Sequence, residues 1–115
     1  MICFDYDDKN EVFKVEIGEN SKENEELIFK SHPDDIWIHL SQYSSPHIVI
    51  HNMGKKISKE CLYRCASKLR KHKKNIPCIP VEVKYANIGT LTTRINNPFL
   101  DIGSVICKKY KTIFI

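Results

Sequence analysis

The sequence predicts an α+β fold: a single compact domain in which two main helices pack on an antiparallel or mixed β-sheet. Three observations carry this. Short segments rich in β-formers, several of them alternating, recur along the chain. Only two stretches, 21–31 and 58–73, show helical spacing between capping residues. The 115 residues, 42% of them hydrophobic, are enough for one core and too few for two domains.

ICFDY and VFKVEI read as a hairpin, with turn chemistry in DDKN between them. SKENEELIFKS reads as a short helix capped by Ser21, with early acids that suit the helix dipole and an apolar face at Leu27 and Ile28. Pro33 ends it. IWIHL and HIVIH read as two strands joined by SQYSSP, central because IVI is a continuous apolar run. Asn52-Met53-Gly54 is a turn. The second helix runs from Ser58 to about Lys73, with Cys61, Leu62, Cys65, Ala66 and Leu69 as its apolar stripe. VEVKY is a further strand, and VICKKYKTIFI gives two short strands or one bent one.

The net charge of +4 conceals segregation. Residues 1–35 hold four lysines against eleven acids, a balance of −7; residues 36–115 hold fourteen Lys or Arg against three acids, a balance of +11. A basic two-thirds beside an acidic third points to a polyanion on one side of the molecule. The acidic third offers a second surface, for a ribosomal or other protein partner. Five cysteines without a CxxC pair read as core residues rather than disulfides or zinc ligands. No apolar run reaches the roughly 20 residues that span a bilayer, and the N-terminus carries acids where a secretory signal carries lysines. The expectation is a soluble, cytoplasmic protein without a membrane partner. No P-loop, dinucleotide or nucleophile-elbow motif occurs, so no cofactor and no catalytic residue is assigned.

Two constellations could carry binding. Pairing the central strands across residues 41–46 sets His39 opposite His47, Trp37 opposite Val49 and Asp35 opposite His51, all on one face. Two readings stay open there. Trp37 stacks on a base while Asp35, His39, His47 and His51 contact nucleotide edges, ribose or phosphate; or Trp37 packs under a helix and the histidines satisfy backbone groups. Asp35, His39 and His47 also form a candidate two-His-one-carboxylate metal set, which would suit a metal-assisted nuclease. The second constellation is the basic helix end, with Lys68, Arg70, Lys71, Lys73 and Lys74 as phosphate contacts beyond what a helix dipole requires. Lys108 and Lys109, in the cluster ending at Lys111, and Arg94 complete the candidate nucleic-acid contacts.

Asn24-Glu25, then Asp35-x-Trp37-x-His39, Ser44-Ser45 and His47 opening an apolar strand, resemble the NFACT-R domain of ribosome-quality-control factors and its short stand-alone members. The likeness continues more weakly through ECLYRCASKL, VEVKY and the DIGSV ending. It implies binding of structured RNA, tRNA or ribosomal RNA, with Asn24 among the contacts. It also brings in DNA as an alternative ligand and RNA-modification systems as an alternative context. The chain departs from the family at His51-Asn52 and at Leu91-Thr92-Thr93, where basic residues are usual.

Overall fold

In the computed structural model, which describes residues 1–115, six strands form one antiparallel sheet. The strands are β1 (Ile2–Asp8), β2 (Glu11–Gly18), β3 (Ile36–Leu40), β4 (His47–His51), β5 (Glu82–Asn87) and β6 (Lys111–Phe114). Their spatial order is β1-β2-β4-β3-β5-β6, and every neighbouring pair is antiparallel, so the mixed alternative is not realised. The helices are α1 (Ser21–Lys30) and α2 (Lys59–His72).

Local chemistry fixes the boundaries. Lys9 and Asn10 both have positive φ, at 52° and 72°, the pair of left-handed residues that matches a two-residue turn to the twist of a hairpin. β1 therefore extends through Asp8, further than its alternation suggests. Asn20, not Ser21, caps α1: its side chain accepts from the Glu23 amide at 2.9 Å, and Ser21 is already helical. Ser58 caps α2 by accepting from the Cys61 amide, and Asp8 in turn accepts from both the amide and the hydroxyl of Ser58. The Ser58 hydroxyl holds the Asp8 carboxyl below its ordinary range.

The α2 stripe of Cys61, Leu62, Cys65, Ala66 and Leu69 is buried against one sheet face, with Val15, Ile17, Ile38, Leu40, Ile48, Ile50 and Val83 beneath it. At about 1.5–3 kcal/mol for each large aliphatic side chain removed from water, this face supplies most of the stabilisation. The opposite face carries a smaller cluster of Leu27 and Ile28 from α1, Trp37, Val49, Ile88 and Leu91. Residues 92–110 contain no strand, only a single bridge between Thr92 and Ile106; of the VICKKYKTIFI stretch, only Lys111–Phe114 pairs.

Candidate nucleic-acid interface

The β3–β4 pairing sets Trp37 against Val49 and Ile38 against Ile48, the register expected from the loop length. β5 adds Lys84 opposite His39, and β2 adds Gly18 opposite His47 and Lys14 opposite His51. One sheet face thus carries a row of Gly18, His47, His39 and Lys84, and a second row of Lys14, His51 and Asp35, with Trp37 between.

Trp37 is 1% exposed, and α1 and the segment after β5 cover it. Its indole donates to His47 Nδ1 at 3.1 Å, so it presents no face to a base and serves to fix an imidazole. Burial therefore rules out base stacking on Trp37, which packs under α1, whereas among the motif histidines only His39 meets a backbone carbonyl.

Around His51 the polar groups close on one another. His51 Nδ1 lies 2.8 Å from Asp35 Oδ2, and His51 Nε2 lies 2.9 Å from Glu16 Oε1. Asp35 also accepts from the amides of His32 and Met53, and Lys30 donates to Glu16 at 2.7 Å. Burial works to raise the Glu16 carboxyl, but the Lys30 contact together with the charges of His51 and Lys14 outweighs it and the net displacement is downward. Asp35, 1% exposed, and His51 have their polar atoms engaged by protein. Neither offers a free group to nucleic acid in this arrangement.

The metal set proposed for Asp35, His39 and His47 does not assemble. Asp35 turns to His51, and a rise of four residue steps along extended chain, about 13 Å, separates it from His39. No group of three or more His, Cys, Asp or Glu side chains is arranged to hold a metal ion, the mutually bonded Glu16, His51 and Asp35 included. Cys61 and Cys65 are buried in the α2 core.

His39 and His47 behave differently. Their rings meet edge to face at 4.9 Å, and they line a cleft of about 270 Å³ with Asn24, Ser44, Ser45 and Lys84. Burial holds His47 down to about 3, and it lowers His39 as well, with Lys84 adding repulsion in both cases. Both rings are therefore neutral at pH 7. His47 Nδ1 accepts from the indole, which places its proton on Nε2; His39 Nδ1 donates to the Leu40 carbonyl at 2.6 Å, which leaves its Nε2 as an acceptor. Asn24 accepts from the His47 amide, and Gly18 is required beside it because a Cβ there would collide with the Asn24 side chain.

A second concavity, of about 550 Å³, lies on the α2 side of the sheet. Lys55, Lys56, Lys109 and Lys111 line it together with Tyr85 and Tyr110, and no acid is among its lining residues. Only Lys55 has a carboxylate partner, Glu11 at 2.6 Å. The Tyr110 ring also lies 5.5 Å from the Lys84 ammonium, which lines the cleft on the other face, so Tyr110 stands between groove and cleft.

The basic helix end is less available than its composition suggests. Arg70 donates to the carbonyls of Pro77, Ile79 and Ile115, tying the chain end to α2. Lys68 lies over the Phe4 ring at 5.3 Å. Lys71 and Lys74 are exposed and Lys73 is half-buried, its charge close enough to lower His39. Arg94 Nη1 is 3.0 Å from both oxygens of Glu25. Arg70 and Arg94 thus hold structure together rather than standing free for phosphates. Lys108 and Lys109 are exposed as expected.

Lys55, Lys56 and Lys84 were not among the sequence candidates. The Lys-Lys pair after the Gly54 turn is a local signal for the first two. Lys84 becomes visible only once β5 is set beside β3. The acidic third is also largely engaged internally: Asp8, Glu11, Glu16, Glu23, Glu25 and Asp35 all have partners within the chain.

Comparison with known proteins agrees with this architecture. The family model described as the NFACT protein RNA binding domain matches residues 1–109. Coiled-coil domain-containing protein 25 from Bos taurus and from Mus musculus is 38% identical over 58 residues, covering 47% of this chain. The match takes in 28% of those relatives' own length. Among solved structures, the C-terminal part of the fibronectin/fibrinogen-binding protein from Streptococcus suis superposes with a TM-score of 0.78 at 23% identity. That superposition covers 90% of this chain and 40% of the other, and at this identity it speaks to the fold alone.

Proposed function

The chain belongs to the family of NFACT protein RNA binding domains, and from that premise we propose that it is a non-catalytic module that holds structured RNA along its lysine groove. The ligand class is tRNA or ribosome-associated RNA, and the setting is translation or ribosome quality control. One observation supports this reading: Lys55, Lys56, Lys109 and Lys111 line a concave surface that has no acid among its lining residues and is flanked by two tyrosines, and of the four only Lys55 has a carboxylate partner, Glu11. Cations in a groove neutralise backbone phosphates, and tyrosine rings give unpaired bases a stacking surface.

The test is fluorescence anisotropy with a labelled tRNA across a salt series. Four phosphates neutralised should give a log–log slope of about −3. The double substitution Lys109→Glu and Lys111→Glu should weaken binding by at least about tenfold and flatten the slope by about two. Affinity that is unchanged by added salt, or by that double substitution, contradicts the placement.

A further inference from the structure

We propose that the cleft between β3, β4, β5 and the start of α1 is a phosphate pocket, which receives one phosphate group of the strand held in the neighbouring groove. This rests on the RNA-binding reading and adds a second, chemically distinct site to it.

The cleft's charge balance supports an anion. Lys84 is half-buried in it, and no carboxylate lies within salt-bridge distance of its ammonium; its nearest recorded partners are the rings of Trp37 and Tyr110. A cation withdrawn from bulk water without a counter-charge is costly, and a ligand that supplies the charge recovers that cost. None of the residues lining the cleft is acidic.

Its donors suit a phosphate better than a base. The lining includes Ser21, Ser44 and Ser104, whose hydroxyls have no recorded partner in the protein, and His47, whose Nε2 proton is free because Nδ1 accepts from Trp37. Ser45 is already engaged, accepting from Leu40 and donating to the Pro46 carbonyl, so it shapes the wall instead. A base needs broad apolar faces, and here only Ile102, Val105 and Trp37 are apolar, with the Trp37 ring already stacked on His39. The His39 ring also lines the cleft, and an anion beside it favours the protonated imidazolium, so binding is coupled to proton uptake.

The cleft is also shaped for a small group. Gly103 has φ +82° and sits against the Ser21 backbone so closely that any Cβ would collide with it. That contact folds the loop around residue 103 over the first turn of α1 and closes one wall.

Phosphate could come from a terminal monoester or an internal diester, and the experiment separates them. Imidazole resonances of the full 115-residue chain are followed by NMR at pH 7 while inorganic phosphate is added, and then on adding one RNA 12-mer bearing a 5′-phosphate, a 3′-phosphate or neither. His39 and His47 should shift saturably with inorganic phosphate while His51 stays fixed, and Lys84→Gln should abolish the response. A terminal-monoester pocket gives about tenfold tighter binding to one phosphorylated strand than to the unphosphorylated one. A diester pocket gives the same His39 and His47 shifts with all three. If phosphate and all three RNAs leave both resonances unmoved, the pocket is overturned. RNA binding that persists with those rings unmoved overturns the pocket and spares the groove. Phosphate shifts retained in a chain that binds no RNA overturn the groove and spare the pocket.

Discussion

The two histidine clusters at opposite ends of the β3–β4 hairpin are built from the same residue types and do opposite things. His51 is fastened at both ring nitrogens by Asp35 and Glu16, which are themselves held by Lys30 and by backbone amides. His39 and His47 face no carboxylate; burial and Lys84 keep them neutral, both rings line a cleft, and His47 has no recorded partner at Nε2. The difference lies in what covers each end. α1 brings Lys30 to the first cluster, while its opposite end brings Asn24 and a serine to the second. Histidine on a strand face is therefore not a binding signal in itself; its unsatisfied nitrogen is.

The largest effect should come from the residue that separates the clusters. Trp37→Ala should destabilise the fold by about 3–5 kcal/mol, read by urea denaturation, because it empties a site that is 1% exposed and frees the His47 ring. A loss under 1 kcal/mol would mean the indole is not the wedge described.

Next, Asp35→Ala should cost about 3 kcal/mol by removing the acceptor of two amides and one imidazole, yet leave tRNA affinity within about twofold at a temperature where both proteins are folded. A large affinity loss there would move the closed cluster into the interface.

The clusters should also separate by pH. His47 is held at about 3 in the folded chain against an ordinary 6.5, so the unfolded chain takes up the proton first. Stability should therefore fall as pH drops below about 6.5, by at most about 1.4 kcal/mol per unit for this group. His39 acts in the same direction. Glu16 and Asp8, both lowered, contribute stability that is present above their ordinary values of 4.5 and 3.8 and is lost as pH falls below them. His47→Gln should remove much of the decline between pH 6.5 and 5 and leave the acid limb in place.

The smallest effect is expected at the exposed Glu60–Arg64 pair on α2, where Glu60→Gln should change stability by less than about 0.5 kcal/mol.

Much of this was legible in the sequence. Alternation and loop length set the register of IWIHL on HIVIH, and Ser58 and Lys73 bracketed α2 closely. The cover was not legible. Strand periodicity tells which residues share a face, but Trp37 is buried by α1 together with Ile88 and Leu91, which lie in a short turn and a segment with no period. The partners of Arg70 and Arg94 were equally hidden, since a carbonyl 45 positions away and a glutamate 69 positions away leave no local trace. Lys84 carries no local signal because β5 follows β4 in the chain yet pairs with β3, and only that crossover sets it beside His39.

Ultraviolet crosslinking of bound tRNA, with the adducts mapped by mass spectrometry, tests the central claim most directly. The groove account predicts adducts on Tyr85 and Tyr110 and on the Lys55–Lys56 segment, with none on Trp37. Adducts confined to the exposed face of α2, residues 59–72, would contradict it.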